Sequence, residues 1–103
     1  MKIEPLTGVI GARITGIDLQ NVDESAAKEL RENICRHQVV VIPDQSLSPK
    51  EQTEFSHQLG PYSPVPFVQP IPNHPEVIKI VKKASEVNAF NFGGVWHSDF
   101  SFL

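Results

Sequence analysis

Val39-Val40-Val41-Ile42-Pro43-Asp44-Gln45-Ser46-Leu47-Ser48-Pro49-Lys50-Glu51 carries the chain from one kind of backbone to another. The β-branched run 39–42 is short and reads as a buried strand, and Pro43 stops it because proline offers no donor to a ladder. Ser48 and Glu51 then form a capping box, with Pro49 at the first helical position. Phe55 and Leu59 lie four apart on the helix that follows, and Gly60 is expected to supply a left-handed C-terminal residue. The spacing predicts a helix over 49–59.

Upstream of the strand, Asp23 offers an N-cap for a helix over 25–36, where Ala27, Leu30 and Ile34 form one apolar stripe. Before that, Val9 to Leu19 alternates apolar with small or polar residues, punctuated by Gly11 and Gly16, which predicts a short hairpin or two bent strands. Downstream, residues 61–75 hold six of the nine prolines. Such a stretch reads as an extended surface loop, with a linker as the competing reading. Val77 to Val81 is expected to be a strand, 84–91 a polar loop, and Val95 to Phe102 a last strand entered through Gly93-Gly94. This order predicts an α+β fold, two helices packed on a mainly antiparallel sheet.

Composition narrows the function. Of 103 residues, 40% are hydrophobic and 20% charged, as in an ordinary globular protein. The net charge of −3 and the scattered Lys and Arg residues give no basic stripe, so nucleic acid is not an expected partner. The longest apolar run, 39–43, is far short of a membrane span, and the first residues lack the apolar core of a leader. A cytoplasmic location is expected. The single cysteine, Cys35, excludes an internal disulfide and reads as a half-buried structural thiol.

Trp96-His97-Ser98-Asp99-Phe100 is where residue types and spacing point to chemistry. Side chains at i and i+2 of a strand project from one face, so His97 and Asp99 point together. An imidazole and a carboxylate so placed can take two positions on a metal. A second imidazole would complete the two-His-one-carboxylate triad of non-haem iron(II) oxygenases. Ser98, Trp96 and Phe100 are expected to turn toward packing. The tripeptide His-x-Asp alone is a weak signal.

Four stretches together are far more specific. Gly93 to Phe102 resembles the iron-binding strand of the taurine dioxygenase family, with its Trp-His-(Thr or Ser)-Asp core. Ile10 to Leu19 resembles that family's opening Gly-Ala-x-Ile-x-Gly-x-Asp-Leu, Arg36 to Gln45 its strand after the first helix, and Ser48 to Gly60 its capped helix. The resemblance implies a partial double-stranded β-helix (jelly roll), of which residues 1–103 are the amino-terminal part of one dioxygenase domain. It implies Fe(II) as cofactor, 2-oxoglutarate as co-substrate, and O₂. Decarboxylation to succinate and CO₂ is coupled to hydroxylation of a small organic substrate. His97 and Asp99 take the metal-ligand roles, with no further catalytic residue in the chain. The distal His and the Arg that anchors 2-oxoglutarate are expected beyond residue 103. His37, His57 and His74 read as structural or surface residues rather than as a third ligand.

The family's sulfonate-binding set is not matched. Val65 stands at its His position, Phe67 or Val68 near its Tyr, and Gly93 at its Asn. Taurine is therefore not the expected substrate. Phe67 and Phe100 are the candidate substrate-contacting side chains, Phe67 having loop packing as its alternative. The chain alone is expected to be inactive and to self-associate through uncovered strand edges. A non-catalytic, self-associating β-rich module is the competing function.

Overall fold

The structure is a computed structural model that describes residues 1–64, 66–87 and 93–99. The chain divides into two compact units, Met1–Tyr62 and Ser63–Leu103.

In the first unit, β1 (Lys2–Pro5) pairs antiparallel with β2 (Ala12–Thr15), setting Ile3 opposite Ile14 and Glu4 opposite Arg13. The expected strands within 9–19 thus reduce to β2, whose partner lies further upstream. The β1–β2 connection is held by Thr7, whose Oγ accepts from Ile10 N at 2.9 Å and donates to Ile10 O at 2.6 Å. Gly11, at φ +90°, returns the chain into β2. A side chain there would be strained and would sit 3.5 Å from Leu6 Cβ.

Helix α1 (Glu24–His37) starts at the expected cap, Asp23 Oδ1 accepting from Ala26 N at 2.8 Å. It ends where Gln38 turns left-handed at φ 65° and its N–H reaches Ile34 O at 2.7 Å. β3 (Val40–Val41) then pairs with β2 in parallel. Parallel neighbours need a crossover connection, and α1 with the preceding short 3₁₀ turn, Leu19–Asn21, supplies it. The three-stranded sheet, ordered β1-β2-β3, is therefore mixed rather than mainly antiparallel. β3 is also shorter than the run 39–42, and Val39 and Val41 are exposed, not buried. As the edge strand of this sheet it sends alternate residues inward, Val40 and Ile42 packing against the core while Val39 and Val41 face out.

Helix α2 (Pro49–Leu59) has the bounds and the capping box that its sequence predicts. Ser48 Oγ accepts from Glu51 N at 3.3 Å, and a Glu51 carboxylate oxygen accepts from Ser48 N at 2.7 Å. Its end differs. Gly60 is extended (φ 176°, ψ 175°), not left-handed. The cause is the next residue, since Pro61 pushes whatever precedes it toward the extended region.

The core lies between the sheet and the helices. Ile14 and Leu30 are 0% and 1% exposed, and with Leu19 they form its centre. Ile3, Ile17, Val22, Val40, Ile42, Leu47, Phe55 and Leu59 pack around them. Gln45 ties the loops above this core: its Oε1 accepts from Leu19 N at 2.9 Å, and its Nε2 donates to Ile17 O at 3.1 Å and Pro43 O at 3.0 Å. Arg31 joins the helices, bonding Glu24 at 2.8 Å and donating to Gln58 O. Cys35 is exposed rather than half-buried, because it falls off the stripe that Ala27, Leu30 and Ile34 make.

In the second unit the proline-rich stretch is not loop throughout. β4 (Pro70–Ile71) and β5 (His74–Ile78) form an antiparallel hairpin with an irregular register. A two-stranded ribbon has only edge strands, so Pro70 and Pro75 need not interrupt a ladder on both sides. Asn73, at φ 63°, takes the left-handed turn position. The strand expected over 77–81 is thus the end of β5, displaced toward the N-terminus. The expected strand 95–102 is not found over 95–99, and residues 100–102 lie outside the described residues. Among the described residues no helix is long and apolar enough to cross a membrane.

Candidate metal centre

Gly93 is left-handed, at φ +69°, and turns the chain into the segment 94–99. A Cβ added there would stand 3.5 Å from His97 Cε1, an ordinary contact, so the constraint is the backbone angle rather than space. An open recess of about 480 Å³ is lined by Gly93, Gly94, Val95, Trp96 and His97.

The strand whose period of two was expected to align them is not found over 95–99, yet His97 and Asp99 lie side by side. His97 Nε2 lies 3.4 Å from Asp99 Oδ1. His97 Nδ1 lies 2.7 Å from the carbonyl oxygen of Val95. A carbonyl only accepts, so Nδ1 carries the proton in that bond. Nε2 then faces the carboxylate, a placement that suits either a ring proton shared with Asp99 or a cation held between the two. A metal-ligating histidine commonly gives its other N–H to a carbonyl in this way. The Val95 carbonyl is thus a participant that the residue pattern did not reveal, because any backbone oxygen is invisible to it.

The donor set fits a divalent ion at two coordination positions. Cis donors about 2.1 Å from an octahedral ion are about 3.0 Å apart, a few tenths of an ångström from the observed 3.4 Å. Both side chains can close that gap, being 49% and 98% exposed. Among the described residues no group of three or more His, Cys, Asp or Glu side chains could hold a metal ion. His37 is at the end of α1, His57 is on α2 and His74 opens β5.

The aromatic neighbours depart from expectation. Trp96 is fully exposed rather than packed, and Ser98 is exposed too. Phe67 is left-handed (φ 67°) and 97% exposed, so it does not pack its loop onto a sheet. It is not among the described residues lining the recess at His97. Phe100 and Val65 lie outside the described residues.

Comparison with known proteins decides the family. The profile of the "Taurine catabolism dioxygenase TauD, TfdA family" matches residues 2–103. The chain belongs to this family. A (S)-phenoxypropionate/alpha-ketoglutarate-dioxygenase of Sphingobium herbicidovorans is 32% identical over 59 residues, covering 57% of this TauD-family chain and 21% of the relative. The alpha-ketoglutarate-dependent dioxygenase bsc9 of Alternaria brassicicola is 42% identical over 52 residues, covering 50% of the chain and 13% of the relative. Among solved structures, a taurine dioxygenase from Burkholderia xenovorans superposes with a TM-score of 0.68 at 33% identity, over 75% of this chain and 28% of that one. A putative alpha-ketoglutarate-dependent taurine dioxygenase from the same organism gives 0.69 at 30% identity, with the same coverage. AAD-2, solved with Mn(II) and N-oxalylglycine, shares the fold at a TM-score of 0.59 and 21% identity. The matched region is about a fifth or less of the curated relatives' length and 28% of those two Burkholderia structures.

Proposed function

We propose that the protein is an iron(II), 2-oxoglutarate-dependent dioxygenase that hydroxylates a small organic substrate, with His97 and Asp99 as two of its metal ligands. The observation that carries this is the juxtaposition of His97 Nε2 and Asp99 Oδ1 at 3.4 Å, with Nδ1 2.7 Å from the Val95 carbonyl oxygen. Membership of a dioxygenase family and relatives that are named as alpha-ketoglutarate-dependent enzymes support it. When bound, iron(II) with 2-oxoglutarate supplies O₂ activation for attack on a C–H bond.

This chain's part is positional. The Val95 carbonyl oxygen, 2.7 Å from Nδ1, orients the ring so that Nε2 faces Asp99. Asp99 brings one negative charge toward a dication. The left-handed Gly93 starts the turn that presents both. The third protein ligand and the anchor for 2-oxoglutarate belong to the jelly roll expected of the family, outside the described residues. By itself the 103-residue chain is proposed to be inactive, since two donors hold a divalent ion less firmly than three. Phe67, exposed and in a costly backbone conformation, is proposed to meet substrate in the whole enzyme.

The test is succinate release by the full-length protein given Fe(II), 2-oxoglutarate, O₂ and candidate substrates. His97→Ala and Asp99→Ala should each lower the substrate-coupled rate by at least ~100-fold, since even partners behind a ligand are worth 10–100-fold. Full activity in either variant sinks the assignment. Taurine-dependent release at the rate of the best substrate would sink the exclusion of sulfonates, which rests on Gly93, Val65 and Phe67.

A further inference from the structure

We propose that α2 is a strap that opens from the first unit separately from β2 and α1, and that Arg31 is the latch at its C-terminal end. The inference stands apart from the metal site and concerns Met1–Tyr62 alone.

The two helices are held differently. α1 buries Ala27, Leu30 and Asn33, and Leu30 stands at the centre of the core. α2 buries no residue fully. Its apolar hold is Phe55 and Leu59, which are partly buried against the same core. Elements with few buried apolar contacts open at a lower free energy than the whole domain. The bonds that make α2 a helix lie within it or at its own cap. Ser48 and Glu51 close the capping box, Lys50 pairs with Glu54 at 3.6 Å, and Ser56 Oγ donates to Gln52 O at 2.7 Å. None of these reaches α1 or the sheet. At eleven residues α2 is too short to persist alone in water, where about 12–15 are needed even for good helix formers, so it unfolds as it leaves.

The ends of α2 are tied to the body by polar contacts. At the N-terminal end, the Gln20 side chain donates to Ser46 O at 2.9 Å and also bonds Glu51. At the C-terminal end, Arg31 of α1 donates to Gln58 O, in the last turn, where helix carbonyls lack partners of their own. The same guanidinium bonds Glu24 Oε1 at 2.8 Å, two turns back along α1. That carboxylate aims the guanidinium, whose positive charge meets the negative end of the α2 dipole. The Arg31 and Glu24 side chains are 36% and 82% exposed, so salt screens the ionic part of the latch. Once Arg31 lets go, α2 peels from Leu59 toward Ser48, with Gln20 at the hinge.

The experiment is native-state hydrogen exchange on the 103-residue chain, read amide by amide by NMR at fixed pH across low urea concentrations. The amides of 53–59 should exchange at least ~10-fold faster than those of 30–34 in α1, and with a weaker dependence on urea. Arg31→Ala should speed exchange at 56–60 by about 3–10-fold, while 12–15 and 30–34 change by less than about 2-fold. Glu24→Gln should give a smaller rise at the same amides. Raising sodium chloride from about 0.05 to 1 M should speed 56–60 in the unaltered chain and leave Arg31→Ala unmoved. Exchange of α1 and α2 in step, with one urea dependence, would overturn the strap. Equal acceleration of every amide in Arg31→Ala, or none at 56–60, would overturn the latch.

Discussion

Leu30→Ala is the substitution that weighs most directly on the packing of the first unit. Leu30 is 1% exposed and sits with Ile14 and Leu19 at the centre of the core, so the cut removes fully buried methyl and methylene groups. Three such groups at about 0.8 kcal/mol each amount to roughly 2.4 kcal/mol of lost transfer energy. A residual cavity of ~40 Å³, at about 24 cal/mol per Å³, adds roughly 1 kcal/mol. The expected cost of about 3 kcal/mol compares with about 3–5 kcal/mol for the whole core of a unit this small. With a urea m-value of about 1 kcal/mol per molar, the midpoint should fall by ~3 M, leaving little folded protein in buffer. Urea titration followed by helix ellipticity, at one fixed protein concentration in EDTA, measures it. Cys35→Ala, on the exposed side of the same helix, is the control and should move the midpoint by no more than about 0.5 kcal/mol's worth. Equal midpoints for the two variants would refute the placement of α1's buried face.

Gly11→Ala should cost about 1 kcal/mol or more because φ there is +90°, while Gly60→Ala, extended and in open space, should be neutral or slightly stabilising; thermal melts of both separate the cases. Gln45→Glu should cost about 1–3 kcal/mol, since a carboxylate cannot donate to the Ile17 and Pro43 carbonyls that the amide now serves, and denaturant titration reads it. The bond from Asn21 and then the N–H of Gln20 hold Asp18 below its ordinary 3.8, and Ser48, through its side chain and then its N–H, holds Glu51 below 4.5. Both carboxyls are therefore lower in the folded state. Their contributions are present above the ordinary values and are lost as pH falls through the folded ones. Ser48→Ala should move the Glu51 midpoint upward in an NMR titration, and an unchanged midpoint would refute the cap as its cause.

What was legible in the sequence was what is decided over a few residues. The box of Ser48 and Glu51 with Pro49 announced α2 to the residue, and Asp23 announced the start of α1, because caps are local hydrogen bonds. The end of α2 was misread by treating Gly60 alone when Pro61 governs it. β1 went unread because Lys2–Pro5 offers a single core-facing residue, Ile3, which is too little for a period to show. Whether 39–42 was central or edge, and whether it ran parallel or antiparallel, depended on what lay beside it. β-branched residues suit either place. The prolines of 61–75 exclude a helix or a central strand and so read as extended loop, yet a two-stranded hairpin has room for them at its edges.

The site divides along the same line, and the division bears on how such a motif works. His97 and Asp99 meet although 95–99 is not part of a sheet. The Val95 carbonyl orients the ring from two residues away. The contacts that bring this pair together all lie within Gly93 to Asp99. A third ligand has no such local address. It must be delivered by tertiary structure or by another chain, and metal affinity, geometry and reactivity follow from which of these delivers it. Under the proposed function the same two side chains would form a facial edge of an oxygenase iron site once a histidine of the expected jelly roll approaches.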